Sequence, residues 1–595
     1  MTLINHLISI LHYKPIQLFT RLKLLFFSRS KVDFYTKKIN FHIQTKGILH
    51  FLINSLDDYH ALETIDKLRD GKIPFLGHLS ANIDSFFKNK FFFENDNLKK
   101  YELSYFHFIT SLIHCEDKDF LESILDKIDI IYSEAKKLDA SHPFWYPYAV
   151  SSRIINIFIL TQISDSQNLS KNRIDNIYQY LYWDYKYLQN NIEFDSDGNH
   201  LLKNYIALSI CSHIFDRKLL FDDYYGKLIN ALDYQIIDKS GMHYEKSLDY
   251  HNSILYDLYI LYLVIGNEIK PQEKGADKDL KKFISKMFHF SSLFYKKEKI
   301  LINDSFVNYH FSEECFLRYL QSYKDHKNLE SLESGSTFKS YTHQNHHNPQ
   351  STFPFEILKT DNNIEMILYN SDINPIYCPA HLHDAISTYE LWINGKKFIT
   401  DSGNFDYNDS RKRMYYRSSH AHNISTSLDN SQSILIKPFR FGKTAKINSF
   451  NRTNKSIDIS FLEVRNLFKY NKIKREVVKE NQSITVKDTT SKLNSKSYIH
   501  LHPTVKILYP PAVPHRKSNP YPFISTKKYI LSKDGVKLTL VVNSPITKSS
   551  ILKTNFSDKF YKESFKQTII LEFDNHLEYS YIIDSEDKES PLDDL

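Results

Sequence analysis

The sequence predicts an α+β protein, with an all-helical first half followed by an antiparallel β half. Three observations carry this. Apolar residues recur three and four apart from about residue 41 to 330, the period changes to two beyond residue 352, and a polar stretch without a period separates the two regimes. A chain of 595 residues is too long for one hydrophobic core, so two large domains are expected.

Residues 1–40 read as an N-terminal helical arm. The segment MTLINHLISILHYKPIQLFTRLKLLFFSRSK is apolar in patches, interrupted by His6, His12, Lys14 and Arg21. It lacks a basic region followed by a small-residue cleavage site, so an amphipathic helix is expected rather than a signal peptide. No run of about 18 uncharged apolar residues occurs, so no membrane span is expected and the chain is placed in the cytoplasm.

Residues 41–335 form the helical domain. NHLLKNYIALSICSHIF (199–215) and HNSILYDLYILYLVIG (251–266) show the helical period most plainly. Asp197-Gly198 precede the first as a turn, and Gly266 ends the second as a left-handed cap would. Asn199 and the pair Tyr250-His251 therefore stand at helix N-termini. Residues 336–352 form a linker whose His343, His346 and His347 are expected to be solvated. Residues 353–595 form the β domain, with strict alternation in SIDISFLEV (456–464) and hairpin turns at Asn394-Gly395 and Asp534-Gly535.

Composition excludes several function classes. With 42% hydrophobic and 25% charged residues the chain reads as a soluble globular protein. A net charge of +7, from 77 basic and 70 acidic residues, is a mild bias and not a nucleic-acid stripe. The 41 Tyr, 42 Phe and 3 Trp suit sugar stacking and equally suit a core. Cys115, Cys211, Cys315 and Cys378 are far apart and read as buried thiols. The sequence contains no GxG, GxxxxGK, HExxH or GxSxG, which argues against nucleotide-driven chemistry.

The densest polar sequence is CPAHLHDAISTYELWINGKKFITDSGNFDY (378–407), followed by RKRMYYRSSHAHN (411–423). His381 with His383, and His420 with His422, can each present two imidazoles on one strand face. Two such histidines with Asp401 match a zinc donor set, and ordinary hydrogen-bonded histidines remain the alternative. One objection is geometric: a two-residue turn at Asn394-Gly395 pairs Asp401 with Thr388, about 17 Å from His383 and on the opposite face. Bringing them together requires a bend, bulge or loop around residues 379–386.

Taken in order, FWYPYAVSSRIIN (144–156), GNHLLKN (198–204), GMHYEKSLDYH (241–251), HLHDAIS (381–387), FITDSG (398–403), YRSSHAHN (416–423) and HLHP (500–503) resemble the motif series of the heparinase II/III-like polysaccharide lyases. The resemblance covers most of the chain. It implies an N-terminal incomplete (α/α) toroid followed by a C-terminal antiparallel β-sandwich. It also implies a carbon–oxygen lyase that cleaves a uronic-acid-containing acidic polysaccharide by β-elimination, where the helical half meets the β half. Asn199 and His381 then neutralise the uronate carboxylate, and Tyr250 is base and acid with His251 beside it. His383, Asp401 and His422 hold a structural divalent metal, zinc by donor type. His243, Tyr244 and Glu245 are expected to line the cleft in a supporting role; His200 is a candidate second imidazole, but adjacent helix positions point about 100° apart, so one of the two faces the cleft and Asn199 is chosen; Arg153 and Arg417 are oxyanion-binding candidates.

The chemistry fits. Removing the proton next to a carboxylate creates an enolate-like dianion that needs aimed donors, which Asn and charged His supply. A phenol acts as base only where its pKa falls, and a helix N-terminus is suited to that. Asn199 reads equally as a helix cap, Tyr250 as a packed aromatic and the arginines as ion-pair partners. Two departures from the family stand out: no export signal is recognised, and Ala380 replaces the family's glycine before the first HxH. Bacterial surface-polysaccharide metabolism is therefore the expected setting. A uronyl C5-epimerase shares the proton abstraction, with His243 or His420 as the second proton donor, and a non-catalytic glycan-binding protein shares the cleft.

Overall fold

The computed structural model of the protein describes residues 2–30, 34, 45–76, 78–82, 96–216, 219–266, 275–305, 311–326, 353–408, 410–427, 431–509 and 527–583. The expected linker, residues 336–352 with its three histidines, lies outside them. The chain divides into two compact units. The helical unit comprises Tyr13–Tyr295 and Val307–Thr337, and the β unit comprises Met1–His12, Lys296–Phe306 and Phe338–Leu595. This division differs from the sequence-based boundaries at residues 40, 335 and 352 in that the first unit break follows His12 and residues 296–306 go with the β unit.

After α1 (Thr2–Leu11), which belongs to the β unit, the helical unit runs α2 (Pro15–Phe26), α3 (Lys46–Ser55), α4 (Asp58–Arg69), α5 (Asn97–Tyr105), α6 (Lys118–Ala135), α7 (Pro147–Ser166), α8 (Lys171–Asn190), α9 (Gly198–Phe215), α10 (Leu219–Gln235), α11 (Leu248–Gly266), α12 (Gly275–Phe294) and α13 (Glu313–His326). Nearly every residue of α7, α9 and α11 is buried, because these segments are apolar on all sides. α8 and α10 bury one face each. α7 packs on α8 and α9, α9 on α10 and α11, and α11 on α12, while α3 touches α7, α11 and α13. This alternation of inner and outer helices is the incomplete (α/α) toroid. Gly266 closes α11 without the left-handed φ expected of it, which six other glycines do adopt.

The β unit is antiparallel throughout its named pairs. One sheet has the order β10 (Lys446–Arg452), β11 (Ser456–Val464), β12 (Tyr470–Lys479), β13 (Ser483–Thr490), β20 (His576–Ile582), β17 (Val536–Val542), β16 (Lys528–Lys533), β15 (Lys506–Tyr509). A second has the order β18 (Lys548–Lys559), β19 (Lys562–Phe573), β14 (Ser495–His500), β7 (Ser425–Ser427). A third joins β3 (Phe355–Lys359), β4 (Ile364–Tyr369), β5 (Tyr389–Ile393) and β6 (Lys396–Ile399), and two short pairs complete the named strands, β1 (Lys72–Phe75) with β2 (Leu79–Asn82) in the helical unit and β8 (Leu435–Lys437) with β9 (Arg440–Phe441) in the β unit. One core takes side chains from all three larger sheets, including Ile457, Ile459 and Phe461 at alternate positions of β11. Both expected hairpin turns form, with φ of 49° and 77° at Asn394-Gly395 and 48° and 81° at Asp534-Gly535, the two positive values that match strand twist.

Candidate active site

In the helical unit the turn before α9 is organised by Asp197. Its φ of 60° is unfavourable for a residue with a Cβ. The carboxylate repays this by accepting from Gly198 N at 2.9 Å, Gln235 Nε2 at 3.1 Å, Tyr234 Oη at 3.0 Å and Lys14 Nζ at 2.7 Å. Gly198 N also donates to Tyr244 Oη at 3.0 Å. The first turn of α9 is fixed from several directions, and Asn199 and His200 with it.

Asn199 is held by Glu245, which accepts from its backbone N at 3.1 Å and from Nδ2 at 2.7 Å. The Asn199 Oδ1 is buried without a hydrogen-bond partner. His200, one position on, has a side chain 26% exposed and places Nδ1 3.1 Å from Glu193 Oε1. Burial alone would lower its pKa, but the Glu193 carboxylate outweighs burial and the net shift is upward. Glu193 is correspondingly lowered, His200 overcoming the effect of burial. Tyr148 lies against the His200 ring, with centroids 4.4 Å apart. Nearby, Lys203 pairs with Asp257 at 2.6 Å, and Glu102 is pushed up to about 8 because burial prevails over Lys203.

Tyr250 is the third residue of α11 and half-buried, its N donating to Ser247 Oγ at 3.4 Å. Its hydroxyl is coupled electrostatically to Tyr105. His251, expected beside Tyr250 in the site, is instead enclosed in the helical unit. It is fully buried, its Nδ1 accepts from His243 N at 3.1 Å, and its Nε2 donates to Met287 O at 3.0 Å. Burial takes its pKa down to about 3, so it is a neutral pin between two segments.

Further expectations are corrected by burial. His243, Tyr244 and Glu245 are enclosed and act on the α9 N-terminus instead of lining a surface, with His243 Nε2 on Gln235 Oε1 at 2.9 Å. Arg153 is a structural arginine: it is fully buried, bidentate to Asp184 at 2.8 Å through Nε and Nη2, and donates to Phe144 O at 2.9 Å. Neither its guanidinium nor that of Arg417 is available to an oxyanion. Arg417 is buried among the carbonyls of Pro379, Leu382 and Pro438, and so shapes the loop that carries His381.

In the β unit the hub is Asp304. It accepts from His381 Nδ1 at 2.8 Å through Oδ2 and from His383 Nε2 at 2.8 Å through Oδ1, and Arg413 Nη2 donates to Oδ2 at 2.7 Å. Burial would raise its pKa, but Arg413 and the two histidines hold it well below the carboxylate range. Arg413 also donates to Ala380 O at 3.0 Å and Asn404 Oδ1 at 2.8 Å. The Tyr407 ring lies 5.7 Å from that of His381.

The expected metal ligands are close but differently engaged. Asp401 Oδ2 accepts from His422 Nδ1 at 2.7 Å, and Asp401 Oδ1 accepts from Gly403 N at 3.1 Å. Gly403, with φ of 78°, is required there because a Cβ would collide with the Ser557 carbonyl. The His383 and His422 rings are 5.3 Å apart between centroids. The geometric objection from the Asn394-Gly395 hairpin is met by a register shift at Leu391/Trp392 and by a loop between β4 and β5. His383 Nδ1, His422 Nε2 and His500 Nε2 are buried without hydrogen-bond partners. Burial keeps His383 neutral, down at about 4. Imidazole and carboxylate are donor types that a divalent metal takes, but among the described residues no group of three His, Cys, Asp or Glu side chains is placed to hold a metal ion. His420 packs edge-on against Tyr498 instead.

Sequence reading missed Glu193, Asp304 and Arg413. Arg413 lay in the dense polar segment 411–423 but just ahead of the motif 416–423, four residues before the arginine chosen. Glu193 and Asp304 are lone acids whose partners are 7 and 77 residues away, a separation that carries no local signal.

Residues 349–587 match the family described as Heparinase II/III-like, C-terminal. Among solved structures, the chain is similar to heparan sulfate lyase HepC from Pedobacter heparinus, with a TM-score of 0.54 at 14% identity over 97% of this chain and 90% of that one. It is similar to a heparinase III, with a TM-score of 0.59 at 16% identity over 96% and 90%. The heparinase III BT4657 gene product gives 0.55 at 12% identity over 95% and 88%. No curated protein matches by sequence.

Proposed function

We propose that this chain, which carries a heparinase II/III-like C-terminal domain, is a polysaccharide lyase that cleaves a uronate-containing acidic glycan by β-elimination. The observation that carries the reading is the α9 N-terminus, where Glu245 holds Asn199 and Glu193 lies 3.1 Å from His200, favouring its charged form, beside Tyr148. A partly exposed cation next to an aromatic face suits a sugar that bears a carboxylate. In this reading His200 joins Asn199 in neutralising the uronate carboxylate; for His381 the same role rests on its motif alone, and within its own unit the ring is held by Asp304.

Tyr250 takes the C5 proton as phenolate. The C5–H electrons form the C4–C5 double bond, the C4–O4 bond breaks, and Tyr250 returns a proton to the departing oxygen. Carboxylate neutralisation lowers the barrier because negative charge grows there in the transition state. The start of α11 favours the phenolate through the helix dipole. A divalent metal, zinc by donor type, is assigned to His383, Asp401 and His422. When bound it supplies a structural crosslink in the β unit.

The test is ultraviolet absorbance of the conjugated product during incubation with a panel of uronate glycans. A rise that disappears in Tyr250→Phe, with folding and glycan binding intact, supports the reading. The expected loss is roughly a thousandfold or more. A flat trace with deuterium appearing at C5 in heavy water overturns it in favour of epimerisation, and near-normal turnover by Tyr250→Phe removes Tyr250 from the mechanism.

A further inference from the structure

α2 is amphipathic in the reverse sense. Its polar residues face the protein: Gln17 is buried with Nε2 3.5 Å from Ser196 O, Arg21 Nη2 donates to Asp195 O at 2.8 Å, and the preceding Lys14 pairs with Asp197 at 2.7 Å. Its apolar residues face outward, with Phe19 66%, Leu22 53%, Leu25 77% and Phe26 79% exposed, followed by Phe27 at 66%. Such a face leaves a large contiguous apolar surface in water, which ordinary folded surfaces avoid. α1, in its own unit, repeats the pattern: Asn5 and Ser9 are buried while Leu3, Leu7 and Leu11 are 73%, 53% and 81% exposed.

Charge decides what suits this face. The first 32 residues contain Lys14, Arg21, Lys23, Arg29 and Lys31 and not one Asp or Glu. Lys23 is exposed on α2 among the apolar side chains. A short helix with an outward apolar face, aromatic residues near its end and only positive charge has the composition of an in-plane interfacial helix. Protein partners of either sign would accept the apolar contacts. Lys23, exposed among these apolar side chains on a helix that carries no acidic residue, is complementary to an anionic headgroup layer. None of the helices among the described residues is long and apolar enough to cross a bilayer, so the contact would be a surface one.

We propose that α2 anchors the protein in the plane of an anionic phospholipid bilayer, with Phe19, Leu22, Leu25 and Phe26 entering the headgroup boundary and Lys23 meeting lipid phosphates. The inward ties of Lys14, Gln17 and Arg21 hold the apolar face outward, so no rearrangement is needed on binding. This surface is independent of the lyase reading.

The experiment is co-sedimentation of the full chain with vesicles of phosphatidylcholine alone and of phosphatidylcholine with phosphatidylglycerol. Partition onto the anionic vesicles is expected, weakening with salt. The double substitution Phe19→Ser with Phe26→Ser is expected to weaken partition by about tenfold or more, since each removes a large apolar side chain. Its circular dichroism and melting temperature should stay unchanged, because both positions are exposed. In Phe26→Trp the new fluorescence should shift to the blue when anionic vesicles are added. Absence of partition, or equal partition by the double variant, overturns the proposal. So does a concentration-dependent dimer, abolished by the double variant, in a protein that ignores vesicles.

Discussion

Glu193 stands 3.1 Å from the His200 ring and favours its charged form, and this makes the proposed site dependent on pH in a definite direction. A histidine whose pKa is raised above 6.5 stays protonated below the raised value and loses its charge as pH climbs through it. The pair's contribution to folding is therefore complete below 6.5 and declines as pH rises through the folded value. Turnover is expected to fall along the same limb. In Glu193→Gln the main influence raising the pKa is removed, so the fall in kcat/KM should move to lower pH. A profile that keeps its position would separate His200 from the reaction. Arg153 makes the opposite case. Arg153→Met leaves Asp184 buried and uncompensated, which should cost roughly 3–5 kcal/mol in a denaturant titration, the range for breaking a buried pair. The folded fraction should keep its KM, because Arg153 bonds only to protein groups; a raised KM without lost stability would return it to substrate binding. His200 and Arg153 were singled out from the sequence, but Glu193 and the roles of all three were not. An arginine in an apolar helix reads alike whether it awaits a ligand or already holds a carboxylate.

At the scale of elements, the α9 N-terminus shows how sequence and strain combine. Asp197-Gly198 was legible as a turn before a helix, since Asp at this position caps and Gly tolerates left-handed backbone. That Asp197 itself takes φ 60° and gathers Lys14, Tyr234 and Gln235 was not, because those partners lie 183, 37 and 38 residues away. Two substitutions separate the effects. Asp197→Ala loses the cap and keeps an unfavourable φ, so about 2 kcal/mol or more of destabilisation is expected. Asp197→Gly loses the same bonds but relieves the backbone, and should retain about 1 kcal/mol of that. Equal losses by chemical denaturation would mean that φ carries no strain. The segments 199–215, 251–266 and 456–464 were readable from their periods, but the hairpin Lys72–Phe75 with Leu79–Asn82 and the helix Arg411–Arg417 were not, and neither HxH pair lies on a strand as expected. The boundary of the units was not readable either, since α1 and residues 296–306 join the β unit through contacts such as Asp304 with His381, which no local pattern announces.

For the molecule as a whole, the β unit poses a question of stability rather than catalysis. It encloses Asp304, Asp401, Arg413 and three histidines, each at 1% exposure or less in the case of His383, His422 and His500. Three imidazole nitrogens there lack hydrogen-bond partners, and an unsatisfied buried polar atom costs about 1–3 kcal/mol. A fold does not accumulate such losses in one place without compensation, and a metal coordinated by neutral imidazoles would provide it. His383 is held neutral by burial, as a ligand must be. Asp401, now bonded to His422 Nδ1, either remains as the carboxylate that orients that ring or turns to the ion itself. Elemental analysis of protein purified without chelators should therefore find about one divalent ion per chain, and chelation should lower the melting temperature. His422→Gln should remove both the ion and the response to chelator. Tyr250→Phe should keep both while losing turnover, which assigns the ion to the structure of the β unit. Protein free of metal, with a melting temperature indifferent to added zinc, would leave these histidines as hydrogen-bonded core residues and end the assignment.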